Sequence, residues 1–82
     1  MKTQDVLAVV SIDQATRDQK IAFMGAMLDR QWRVTRQLRG GYYAGFPVDV
    51  DDDRIVDQSQ TEIAECASLS GISEWDAVCV LA

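Results

Sequence analysis

Residues 5–12, DVLAVVSI, limit the fold more than any other stretch. Val6, Leu7, Ala8, Val9 and Val10 are apolar on both parities. A strand built from them has no face suited to water and needs strands on either side. The pattern predicts a central strand, and the rest of the chain must supply its neighbours and a layer to cover it.

The next segment has helical spacing. Asp13 or Thr16 can cap it, and Thr16-Arg17-Asp18-Gln19 has the capping-box form, in which the Thr and Gln side chains satisfy each other's orphan amides. The helix is expected to run to about Arg30, with Ile21, Met24 and Leu28 as its inward stripe, Met27 beside them and Phe23 well off it. Then comes WRVTRQLRGGYYAGFPVDV over 32–50, with apolar positions at Trp32, Val34 and Leu38, a break at Gly40-Gly41, and apolar positions again at Tyr42, Ala44, Phe46, Val48 and Val50. It reads as a β-hairpin with a tight glycine turn. In the following segment Val56, Ser59, Ile63, Cys66, Ala67 and Ser70 line one helical face, and Gly71 stands where a helix-ending glycine belongs. The start of this helix is open. Asp51 to Asp53 can cap it, but Ser59-Gln60-Thr61-Glu62 is also a capping box, and that reading leaves residues 54–57 extended. The chain closes on WDAVCVLA, an apolar strand with Trp75, Ala77, Cys79 and Leu81 on one parity and Val78 and Val80 on the other.

The order β-α-β-β-α-β is that of ferredoxin-like α+β domains, a four-stranded antiparallel sheet with two helices on one face. The strand order is then 4-1-3-2, with Arg33 to Arg39 on an edge where charge discourages stray pairing. Pro47 requires the third strand to end near Phe46 or to bulge there. The uncovered face would carry Leu7, Val9, Val78 and Val80. Such a patch on a small chain marks an interface, and a sheet-to-sheet homodimer is expected.

At 82 residues the chain makes one domain, residues 1–82, with a thin core. It is 48% hydrophobic and 26% charged, too apolar for disorder and too interrupted by charge for a membrane span. The N-terminal apolar run is short for a signal peptide, so a cytoplasmic protein is expected. Cys66 and Cys79 are too few for a disulfide framework. With no histidine they form no ordinary zinc site, and they read as buried apolar residues.

Without histidine or Gly-x-Ser-x-Gly, a serine or cysteine nucleophile lacks its usual base, and no catalytic residue, metal or cofactor is assigned. Asp13, at the end of the first strand, is where a metal-dependent nuclease would be tested first. Asp49, Asp51 and Asp53 have the alternation of a calcium loop, but its sixth position is Arg54 instead of Gly and its twelfth is Gln60 instead of Glu. Residues 39–46, RGGYYAGF, can be laid on the third-strand motif of RNA-recognition domains, which they resemble at Arg39, Gly40, Tyr43 and Phe46. They depart from it at Gly41 and Tyr42, and the first strand has no aromatic. That resemblance implies a nucleic-acid surface at Arg33, Arg36, Arg39 and Tyr43.

Charge divides the chain. Residues 1–39 hold seven Lys or Arg against four Asp or Glu, and residues 40–82 hold Arg54 alone against nine acids, together the stated −5. Asp49, Asp51, Asp52, Asp53, Asp57, Glu62 and Glu65 would present negative charge to a basic partner. In size, charge and expected topology the chain resembles the inhibitor proteins of phages, including some anti-CRISPRs. That resemblance implies a non-catalytic domain that blocks a nucleic-acid-binding partner. The alternative is an RNA-binding or metal-dependent nuclease domain on the same fold.

Overall fold

A computed structural model describes residues 3–47 and 49–81. The elements are β1 (Thr3–Ser11), α1 (Arg17–Asp29), β2 (Arg33–Val34), β3 (Gly41–Pro47), α2 (Asp52–Leu69) and β4 (Asp76–Leu81). They form one antiparallel sheet in the order β2-β3-β1-β4, a ferredoxin-like α+β fold. β1 is central as its composition requires, pairing Leu7 with Tyr43 of β3 on one side and with Val80 of β4 on the other.

Val6, Ala8 and Val10 of β1, with Tyr42, Ala44 and Phe46 of β3, face the helices and are buried with Phe23, Met27, Ile55, Ile63 and Cys66. Two edge-on ring pairs knit this layer together, Phe23 with Tyr42 at 5.9 Å and Trp32 with Phe46 at 6.2 Å between centroids.

The Thr16 capping box opens α1, with Gln19 N–H donating to Thr16 Oγ1 at 3.2 Å and Thr16 N–H to Gln19 Oε1 at 2.9 Å. The helix's orientation differs from the expected stripe. Phe23 and Met27 point into the core, whereas Ile21, Met24 and Leu28 are 55%, 41% and 49% exposed. Aromatic volume decides the rotation, because a fully buried Phe removes more apolar surface from water than any residue of the alternative stripe.

The hairpin also differs from expectation. Gln31 takes φ 69° as α1 ends, Trp32 N–H donates to Met27 C=O at 3.0 Å, and β2 lasts only two residues before residues 35–40 leave the sheet. Leu38 sits in this loop, and Gly41 belongs to β3 and not to the turn. Gly40 has φ 74°, and a Cβ there would run into the Val10 carbonyl, whose own residue donates its N–H to Gly40 C=O at 2.8 Å. Pro47 is the last residue of β3, opposite Thr3, on the side where β2 no longer runs, so its missing N–H breaks no ladder bond. Val48, part of the same apolar pattern, lies outside the described residues.

α2 starts at Asp52, so residues 54–57 are helical and the second capping box is unused. Ser59 is fully buried in mid-helix and donates to Ile55 C=O at 2.7 Å. The helix ends as Gly71 predicts, with φ 73° there and Ile72 N–H donating to Ala67 C=O at 2.9 Å.

Candidate interaction surfaces

The loop after β3 is held by Val50 N–H donating to Pro47 C=O at 3.3 Å, and it delivers five aspartates to the start of α2. Asp49 precedes the helix, and Asp51 is its N-cap residue without a side-chain cap bond. Asp52 and Asp53 occupy the first turn, and Asp57 follows one turn later. All five are exposed, and among the described residues none of their carboxylates has a hydrogen bond or an ion pair. The positive end of the helix dipole tolerates them there, and like charges one turn apart, such as Asp53 and Asp57, repel one another.

The other two acids are placed apart from these. Glu65 forms an ion pair with Arg30 at the end of α1, a bond that raises the Arg30 pKa. Glu62 is half-buried beside them. Burial pushes its carboxyl pKa up, against downward pulls from Arg30 and the neighbouring Trp32 indole. The Trp32 Nε1–H is itself buried and makes no hydrogen bond within the described residues. The acidic ribbon therefore falls into two groups: five free aspartates, and two glutamates turned toward α1.

The basic strip is split as well. Arg33 lies in β2 opposite Tyr43, and Arg36 and Arg39 lie in the exposed loop behind it. Tyr43 is 40% exposed on the uncovered sheet face, but Tyr42 and Phe46 are core residues, so that face offers one ring to a base. Thr16, not Asp13, caps α1. Asp13 is exposed and accepts a hydrogen bond from Ser11 Oγ at 3.3 Å.

Both cysteines are free thiols, and burial pushes both pKa values up. No cluster of three or more Asp, Glu or Cys among the described residues is placed to hold a metal ion. No described helix is long and apolar enough to cross a membrane.

The uncovered face carries Leu7, Val9, Val78 and Val80 as expected, with Arg33, Tyr43, Leu7 and Val80 in one cross-strand row and Gly41, Val9 and Val78 in the next. Sequence reasoning missed a second apolar surface, the outer stripe of Ile21, Met24 and Leu28 on α1. It also missed two side chains on the edge of β4, where Gln60 Nε2 donates to Ala77 C=O and Asp76 Oδ1 accepts from Ala77 N–H, each at 3.0 Å. No protein-family model matches the chain, and no curated protein or solved structure matches it either.

Proposed function

We propose that this chain is a non-catalytic binding domain that occupies the basic surface of a partner protein, in the manner of an inhibitor that covers a nucleic-acid site. The supporting observation is the patch of five exposed aspartates at residues 49–57, whose carboxylates have no partner among the described residues. Held on the first turns of a packed helix, these charges are pre-positioned, and they bind a basic surface without desolvating a buried ion. The RNA-binding alternative has less behind it, because the sheet face offers Tyr43 alone and a net charge of −5 opposes the counterion-release term.

The test is an NMR titration with two probes, an Arg/Lys-rich peptide and a single-stranded RNA oligomer. The proposal expects the peptide to shift amides in residues 49–57 and the RNA to shift none. RNA-induced shifts at Arg33, Arg36, Arg39 and Tyr43, with residues 49–57 silent to the peptide, would replace it with the nucleic-acid reading.

A further inference from the structure

The two edges of the sheet are built differently. β2 is two residues long and bears Arg33, which suits an edge that must not pair. β4 is six residues long, and Ala77 to Leu81 carry no charge and no proline. No described strand lies on its outer side.

The backbone directions on that edge follow from one bond. Val10 N–H donates to Gly40 C=O, so even-numbered residues of β1 turn their backbone groups toward β3 and odd-numbered ones toward β4. Ser11, Val9 and Leu7 thus bond to Asp76, Val78 and Val80, and Ala77, Cys79 and Leu81 turn their N–H and C=O groups outward. The bonds from Gln60 and to Asp76 at Ala77 agree with this, since both reach that residue from outside the sheet. Gln60 Nε2 also reaches the Cys79 Sγ at 3.6 Å, but neither side chain bonds to the Cys79 or Leu81 backbone groups.

We propose that β4 is the interface between two copies of this chain, paired antiparallel across a two-fold axis at Cys79. Face parity requires a residue to sit opposite one of its own parity, which excludes registers that set Val78 against Cys79. The register centred on Cys79 sets it against Cys79 of the second copy and Ala77 against Leu81, so that every outward residue bonds. A shift to Val78 uses only Ala77 and Cys79 and draws Asp76 into the paired stretch. The Ala77 carbonyl keeps a second lone pair for the new bond while Gln60 holds the first, and the Ala77 N–H exchanges its Asp76 Oδ1 acceptor for the Leu81 carbonyl of the second copy.

A second copy suits this edge better than a polar peptide does, because β4 is apolar on both faces. Ala77, Cys79 and Leu81 are half-buried on the helix side, and Val78 and Val80 are 61% and 47% exposed on the other. Only a strand of the same two-faced character covers both. Gln60, the α2 side chain bonded to β4, is uncharged, as are Ala64 and Ser68 after it, and the same flank turns acidic before it, at Asp57 and Asp53. The pairing is isologous, closes at two copies, and leaves residues 49–57 free for another partner.

The experiment compares the wild-type chain with Cys79→Pro and Val9→Lys by light scattering, and follows Cys79 and Leu81 amide exchange in the wild type from micromolar to millimolar concentration. Proline removes an outward N–H that no described residue accepts, and an edge strand tolerates it. The expected result is a wild-type dimer, a folded monomeric Cys79→Pro, a dimeric Val9→Lys, and amide exchange at Cys79 at least about tenfold slower at high concentration. Should Cys79→Pro fail to fold, the wild-type exchange decides alone. A monomer at every concentration overturns the proposal. So does a dimer that survives Cys79→Pro and is lost in Val9→Lys, which would place the interface on the open face.

Discussion

The rotation of α1 is the point at which structure and sequence pattern part, and Phe23→Ala measures it. Phe23 is fully buried and meets Tyr42 edge-on at 5.9 Å, so truncation removes the ring from water-free packing and leaves a cavity between α1 and β3. Phe-to-Ala deletions in a core cost about 3–5 kcal/mol, and the lost ring pair lies within that range. An 82-residue domain has only about 4–12 kcal/mol to lose. The variant should therefore unfold at a much lower urea concentration, and should be largely unfolded in water if the wild type sits at the low end. Leu28→Ala, on the exposed stripe, should cost less than about 1 kcal/mol. Equilibrium urea unfolding of both variants, with unchanged slopes to license comparison, provides the readout. A larger loss for Leu28→Ala than for Phe23→Ala would refute the orientation of the helix and every burial argument that depends on it.

Two glycines should respond in opposite directions. Gly25 lies in mid-helix with open space where a Cβ would go, so Gly25→Ala should stabilise by roughly 0.5–1 kcal/mol, seen as a rise in Tm of a few degrees. Gly40→Ala should destabilise by more than about 1–2 kcal/mol, because positive φ and the Val10 carbonyl both oppose a side chain; an unchanged Tm would contradict the turn geometry. Glu62 gives a pH test. Its folded pKa is raised, chiefly by burial, so the native state holds that proton longer than the unfolded chain, and its contribution to stability falls as pH rises from the ordinary glutamate range to the raised value. Glu62→Gln should remove that decline and be the more stable protein at neutral pH. A less stable variant there would mean that attraction to Arg30 outweighs burial.

Much of the fold was legible because local signals agreed with it. The two-sided apolar run of β1, the Thr16–Gln19 box and the Gly71 stop each name an element boundary without tertiary help, and Pro47 marked the end of β3. Where two signals competed, the pattern could not choose. Ile21, Met24 and Leu28 make a cleaner stripe than Phe23 and Met27, but burial follows volume and ring contact, which periodicity does not weigh. Ser59-Gln60-Thr61-Glu62 is a sound capping box, yet the helix had already begun at Asp52, so its serine is buried and bonded back to Ile55 instead. β2 covers only two residues before the loop over 35–40, and the αL conformation of Gln31, where the chain turns from α1 toward the sheet, has no sequence signal. Of the surface, the acids were visible as a run, but their separation into free aspartates and glutamates facing Arg30 depends on which flank of α2 meets α1.

The central claim, that the aspartates at the start of α2 engage a basic partner, is tested most directly by the association rate of an Arg/Lys-rich peptide with the wild type and with the triple variant Asp51→Asn, Asp52→Asn, Asp53→Asn, across a salt series. Asn is also a good helix-capping residue, so the fold should survive, with Tm equal or slightly higher as repulsion is relieved. The account predicts a slower on-rate for the variant at low salt, and a wild-type rate that falls with ionic strength much more steeply than the variant's. Equal rates at low salt, with parallel salt dependence, would contradict it and leave the cluster as a solvated helix entrance.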